Sequence, residues 1–408
     1  MRIAHLRLAG LLYLSSVLVI HAAVLWNVRT LIGKGYPDFT IYYTAGTIVR
    51  QGMGHSLYDD AVQFKVQRGF APDVATRLGA LPFNHPPFEA LFFVPLTCFS
   101  YRTAYWLWAL ANLAMLAGLP SLLRPYVPLL GRFPAPLWTL VSLGLFPIFF
   151  ALLQGQDAIL LLFLYGLVFV SLKKERPVSA GVWLACGLFK FHLVLPFLFL
   201  LLVRGKKRSL YGFLAVAAIL GVVSVAAVGV QQMLSYPRYV LGLEETMARG
   251  AIMPSDMPNL RGILYVMASG LRYFDIFVVA ISVVLFALAA WISHSSDENA
   301  DDLSFSLAVL ATVLVSYHGL GYDLCVLTLP ALLLVGWLLR EGKSGKWTRA
   351  ALIAGLTILL FSPLQLVLLM RYNRLAWLGW AVLLCFGGVA GELRSRAQPK
   401  HAAQSAAV

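Results

Sequence analysis

The stretch KKERPVSAGVWLACGLFKFHLVLPFLFLLLVRGKKR, residues 173–208, decides how this chain is to be read. Two basic clusters bracket the largely apolar 26-residue segment 178–203, and the polar break in the middle is Lys190-Phe191-His192. Lys and Arg in short loops collect on the cytoplasmic side of a membrane. Both flanks therefore belong on that side, and a single crossing would separate them. The segment reads instead as a broken hairpin that enters part-way and returns, with Lys190 near its tip. Broken backbone at membrane depth is tolerated where it faces protein or a wet cavity. A lysine there requires an anion beside it, which favours a functional role.

The rest of the chain agrees with a lipid solvent. Its 408 residues are 60% hydrophobic and 12% charged, about half the charge of a soluble domain. The net charge of +14 reflects the clusters at 173–176, 204–208, 340–349 and 392–400. Each lies between or after apolar runs, so it is a topology signal and not a nucleic-acid footprint. The four cysteines, Cys98, Cys186, Cys325 and Cys385, lie in apolar runs without metal-ligand spacing and read as packing residues.

Outward from the opening segment, the spacing predicts an all-α polytopic protein of about 10–12 spanning or broken helices. The run Leu8–Trp26 is an uncleaved first helix with its N-terminus inside. Residues 27–87 then form a long first outer loop carrying short surface helices at 40–50 and 59–69. The FNHPPFEALFFVPL element, 83–96, is re-entrant or interfacial. Helices follow at 101–122, 137–153, 157–172 and 209–230, then an outer loop at 231–271 in which Glu244 and Glu245 are solvated. The last helices fall at 272–291, 303–317, 324–339, 350–370 and 375–391. Residues 1–395 make one membrane domain, with a cytoplasmic tail at 396–408.

This topology brings polar residues from six turns to one face: Asp38; Asn84 and His85; Gln154, Gln156 and Asp157; Lys190 and His192; Asn259 and Arg261; and His318, Tyr322 and Asp323. Such groups near a bilayer line a substrate path or wet cavity. Bland roles stand beside that one. Asp38 fits a solvated loop acid, Asp157 a helix N-cap worth about 1 kcal/mol, His318 an interfacial histidine, and Arg261 a lipid-headgroup contact. Tyr42 and Tyr43 are placed at the interface as anchors. No Walker loop, dinucleotide fingerprint, HExxH or GxSxG is present, so the chemistry belongs to a substrate carried by lipid.

Seven pieces in order carry a resemblance: YPDFTIYYTAG (36–46), HSLYD (55–59), FNHPPFEALFFVPL (83–96), LQGQDAILLL (153–162), GVWLACGLFKFHLVLP (181–196), MPNLRG (257–262) and VSYHGLGYDL (315–324). Together they resemble glycosyltransferase family 87, polytopic enzymes of the GT-C fold that use polyprenyl-phosphate sugars, typically mannose. The resemblance implies an inverting hexosyl transfer, of mannose in the family's usual manner, at the outer face of a bacterial cytoplasmic membrane. It implies Asp38 as general base on a lipid or glycan acceptor. Lys190, Arg261 and His318 would hold the donor phosphate, and Tyr42, Asn84, His85, Gln156, Asp157, Asn259, Tyr322 and Asp323 the sugar or acceptor. It implies no cofactor and no metal, because the donor has one phosphate. The chain departs from the pattern in three places. Asp157 follows the Gly-Gln pair where an uncharged residue is common, Pro196 lies six residues beyond Lys190, and His318 is a single histidine. A transporter or flippase of lipid-linked sugars is the alternative, since a broken hairpin with an intramembrane lysine suits both. No internal repeat supports it.

Overall fold

A computed structural model describes residues 2–74, 81–246, 253–295, 301–340 and 345–405. Most of the 295–302 turn, part of the basic 340–349 loop, residues 247–252 of the 231–271 loop, the end of the tail, and the side chains of Glu244 and Glu245 lie outside that description. The chain is an all-α polytopic membrane protein, 84% helical, with no strand among the described residues. Among the described residues, six helices are long and apolar enough to cross a bilayer, three further pairs qualify as bent spans, and three shorter helices are also apolar.

Helix α1 (Arg2–Gly33) carries Leu8, Leu11, Leu12 and Val19 on exposed positions. At 1.5 Å per residue its 32 residues extend about 48 Å, more than a hydrocarbon core of about 30 Å. It continues seven residues past Trp26, because no proline or glycine interrupts the run before Gly33. Helices α2 (Phe39–Arg50) and α3 (Asp60–Phe70) follow. Helix α2 is not a surface helix. Phe39, Tyr42, Ala45 and Ile48 are fully buried. Tyr42 stacks on Phe93, while Tyr43 sends its hydroxyl to the Phe99 carbonyl. The two tyrosines are thus packed inside and are not bilayer anchors.

Pro87 opens α4 (Pro87–Phe93), a short apolar helix ahead of α5 (Tyr101–Leu123). Helices α6 (Ala135–Leu143) and α7 (Phe146–Gln154) form a pair bent by 74°. The turn Gly155–Asp157 leads into α8 (Ala158–Lys173).

The opening segment becomes α9 (Pro177–Cys186), a 3-10 turn over Leu188–Lys190, and α10 (Phe191–Val203). Lys190 lies at the break. The arms do not return antiparallel, however: the chain changes direction by 68°. The reason lies in packing. A Cβ at Gly181 would collide with the Ser209 carbonyl and one at Gly212 with the Val178 carbonyl, so α9 lies tightly against α11 (Ser209–Val228). Small residues allow such close approach of membrane helices.

The 231–271 stretch is largely helical, not an open loop: α12 (Val230–Thr246) and α13 (Leu260–Ala268) occupy most of its described residues. Tyr236 and Tyr239 of α12 pack tilted rings against Tyr58, which fastens the helix over the 54–58 turn. Helices α14 (Phe274–Ser295), α15 (Asp301–Val315) and α16 (Thr328–Arg340) follow. Helices α17 (Lys346–Leu360) and α18 (Ser362–Val367) form another bent pair before α19 (Leu378–Ser405).

Two apolar cores result. The larger joins α7 to α11 with α14 to α19, and the smaller joins α2, α4 and the start of α5. Part of the polar set gathered above, from Asp38 and Tyr42 to Lys190 and Asp323, lies where the two cores meet.

Candidate active site

Two acids stand at helix starts, and neither caps its helix. Asp38 precedes α2 and Asp157 precedes α8, and neither carboxylate accepts a hydrogen bond from its own helix. A carboxylate cap contributes about 1 kcal/mol, so both side chains forgo that stabilisation for other partners. Asp38 Oδ2 accepts from Gln156 Nε2 at 2.6 Å, and the Asp38 N–H donates to Gln154 Oε1 at 3.2 Å. Asp157 turns both oxygens inward, Oδ1 to Lys190 Nζ at 3.0 Å and Oδ2 towards His85 Nδ1 at 3.9 Å.

Gly155 makes this possible. Its φ of +62° lies in the left-handed region, and a Cβ there would stand 2.7 Å from Phe39 Cβ. Trp108 Nε1 donates to the Gly155 carbonyl at 2.9 Å, and the Tyr105 hydroxyl reaches the Leu152 carbonyl at 2.9 Å. The turn is therefore clamped from α5 on one side and pressed against α2 on the other.

Gln156 links the groups. Its Oε1 accepts from the Tyr42 hydroxyl at 2.7 Å and lies 3.5 Å from Lys190 Nζ. Its Nε2 faces Asp38. The donors on the oxygen fix the orientation of the amide, so the hydrogen on the nitrogen points at the carboxylate.

Lys190 is 4% exposed. Beside the contact to Asp157, its ammonium lies 3.1 Å from Asp323 Oδ1 and 5.0 Å from the centre of the Tyr322 ring. The other Asp323 oxygen accepts from the Leu320 N–H at 2.8 Å and fixes the turn ahead of α16. The segment calls for an anion beside Lys190, and the family resemblance implies a donor phosphate in that role. The structure supplies two of the protein's own carboxylates.

The histidine of FNHPPF joins the cluster. His85 Nδ1 is 2.7 Å from Glu89 Oε2, and its Nε2 is 3.5 Å from the Tyr42 hydroxyl. Burial holds its imidazole neutral, lowering its pKa to about 4. Burial acts oppositely on the acids. The Asp38 pKa rises above the ordinary carboxylate range, opposed by the Gln156 hydrogen bond and the Lys190 charge, and that of Asp157 rises to about 7. Asp38 keeps part of its surface open while Asp157 is 1% exposed.

The fold thus gathers Asp38, Tyr42, His85, Gln156, Asp157, Lys190, Tyr322 and Asp323. The other expected residues stand apart or have other tasks. Asn259 is fully buried. Its oxygen caps α13 at the Gly262 N–H, 2.9 Å away, and its nitrogen donates to the Ser316 carbonyl at 2.6 Å. No polar atom of that side chain is left for a sugar. The Arg261 guanidinium lies 3.8 Å over the Tyr317 ring, with Nη1 donating to the Tyr317 carbonyl at 3.3 Å. His318 is half-buried in the turn after α15. Asn84 offers its backbone carbonyl to the Tyr236 hydroxyl at 3.2 Å.

Glu89 was not singled out by the sequence reading. It is 1% exposed on the apolar helix α4. The available signal was its place four residues after His85, one helical turn away, in a run with no other charge. His85, Glu89 and Asp157 each offer one potential metal-ligand atom, and these lie within 4.8 Å of one another.

The profile of glycosyltransferase family 87 matches residues 83–317, more than half of the chain. The chain belongs to glycosyltransferase family 87. It is accordingly a membrane glycosyltransferase. The matched span includes His85, Gln156, Asp157, Lys190 and Arg261, and ends before Tyr322. No curated protein and no solved structure matches the chain.

Proposed function

We propose that this family 87 member transfers a hexose, mannose by the family's habit, from a polyprenyl phosphate to a hydroxyl of a lipid or glycan acceptor. The reaction inverts the anomeric centre and takes place at the outer face of a bacterial cytoplasmic membrane. The observation that carries this reading is Asp38. It is a partly open carboxylate, aimed away from its own helix and held by Gln156 at 2.6 Å. A single base on the acceptor side is what inverting transfer requires.

In this scheme the acceptor oxygen attacks the anomeric carbon while the bond from that carbon to the phosphate oxygen breaks. The acceptor proton passes to Asp38, and the polyprenyl phosphate leaves with the bonding electrons. Cationic donors stabilise that departing charge. Arg261 and His318 are assigned to it. Lys190 is assigned to holding the site, because a cation already matched by two carboxylates presents little net attraction to a third anion. Through Gln156 it keeps the amide hydrogen directed at Asp38. Tyr42 and Tyr322 border the acceptor side.

The test is transfer from purified polyprenyl-phosphate mannose to an acceptor lipid by wild type and Asp38→Asn. The asparagine preserves the hydrogen bond with Gln156 and removes the base. Loss of product with retained folding supports the reading, and equal turnover removes Asp38 from the mechanism.

A further inference from the structure

Four buried or half-buried carboxylates, Asp38, Glu89, Asp157 and Asp323, gather round the ammonium of Lys190. Burial makes uncompensated carboxylate charge costly, so the cluster is balanced by protons or by a further cation. The geometry shows where. Lys190 Nζ contacts Asp157 Oδ1 and Asp323 Oδ1, while Asp157 Oδ2 and Glu89 Oε2 face His85 Nδ1. The Glu89 and Asp157 carboxyls hydrogen-bond to each other, and beyond that shared proton no hydrogen-bond donor of the described residues other than His85 Nδ1 meets Glu89 or Asp157 Oδ2.

The hydrogen count at His85 points the same way. The Tyr42 hydroxyl gives its one hydrogen to Gln156 Oε1 at 2.7 Å. Its 3.5 Å contact with His85 Nε2 is then favourable when that nitrogen carries the imidazole hydrogen. That tautomer turns the Nδ1 lone pair towards Glu89 Oε2, 2.7 Å away, and Asp157 Oδ2, 3.9 Å away. Two acceptors at 2.7 Å repel unless a positive centre lies between them.

From this we propose that His85 Nδ1, Glu89 Oε2 and Asp157 Oδ2 bind one divalent transition-metal ion. One imidazole nitrogen and two carboxylate oxygens form a donor set of the kind that suits Zn2+ or Mn2+ better than Ca2+. With bonds of about 2.0–2.2 Å, the ion sits on the α4 side of the cluster and the remaining coordination positions take water. Tyr42, on the second nitrogen of His85, fixes the tautomer, the usual task of an outer partner. Lys190 then compensates Asp157 and Asp323 from one side while the ion compensates Glu89 and Asp157 from the other. This inference does not rest on the transferase reading, because the site is argued from charge and hydrogen bonding alone.

The experiment uses the full chain purified in detergent and stripped of metal with a chelator. Zn2+ is titrated calorimetrically, and metal content is measured after desalting. The expected result is one ion per chain for wild type, with affinity lowered at least about tenfold in Glu89→Gln and in His85→Asn. The zinc absorption edge of the wild-type complex should report one imidazole and oxygen ligands. A stripped wild type that takes up no ion overturns the proposal, and in that case a proton shared by His85 and Glu89 does the bridging. Undiminished affinity in folded Glu89→Gln also overturns it. If neither variant folds, the edge spectrum decides: sulfur ligands or an all-oxygen shell place the ion elsewhere.

Discussion

Removing the charge of Lys190 is the most demanding test of the site's architecture. In Lys190→Met the side chain keeps its length, while Asp157 and Asp323 lose a partner at 3.0 and 3.1 Å. At an effective dielectric of about 20, each contact is worth about 5 kcal/mol of Coulomb energy before desolvation. The lysine's own desolvation offsets much of that sum. Breaking a buried pair by removing one partner leaves a net loss of about 3–5 kcal/mol, a large share of a total stability of about 5–15 kcal/mol. The unfolding temperature of the detergent-purified protein, a chain of 408 residues, should therefore fall by roughly 4–6 °C. Substituting both acids as well, in Lys190→Met with Asp157→Asn and Asp323→Asn, should recover part of the loss, since neutral amides need no counter-charge. The opposite pattern follows if Lys190 instead waits for a donor phosphate. Removing an unmatched buried cation would stabilise the empty protein and weaken donor binding. A Lys190→Met protein that melts at or above the wild-type temperature refutes the ion-pair argument.

Three further outcomes follow from the same geometry. Asp38→Asn should lower transfer roughly 100- to 10,000-fold, the usual worth of a positioned base, without a comparable fall in melting temperature. Burial raises the pKa of Asp38, and the base form is the deprotonated one; activity should therefore increase with pH along an acid limb above the ordinary carboxylate range, and Asp38→Asn should abolish that limb in the pH–rate profile. Gly155→Ala combines a left-handed φ of +62° with a Cβ 2.7 Å from Phe39; about 1–3 kcal/mol of strain should appear in the melting curve, together with reduced transfer as Gln156 is displaced. Asn259→Ala removes the α13 cap and the bond to the Ser316 carbonyl; a loss of about 1–2 kcal/mol is expected, and turnover should fall if Arg261 and His318 depend on that link.

What could be read from the sequence follows the range of the interactions concerned. Hydropathy and basic flanks are local, so the polytopic helical class and most helix positions were legible. So was the polar break at Lys190, because a lysine inside a largely apolar 26-residue segment needs no partner to be conspicuous. Partner identity is a different matter. Nothing near Lys190 in sequence shows that Asp157 and Asp323 will meet it, since these approach from α8 and the turn before α16. Asp157 was equally compatible with a cap or an inward role until its carboxylate was seen to leave its helix. The 68° bend between α9 and α10 escaped the charge argument, which constrains where the ends lie and not the angle between the arms. Helix α12 was hidden because its anchors, Tyr236 and Tyr239, act on Tyr58 nearly 180 residues away. Glu89 was within reach. An acid one helical turn after His85, in a run otherwise free of charge, is as conspicuous as Lys190. Its neighbourhood with Asp157 then required the fold, and it is that neighbourhood which leaves four carboxylates around one ammonium and turns a helix-forming motif into a site with a charge to balance.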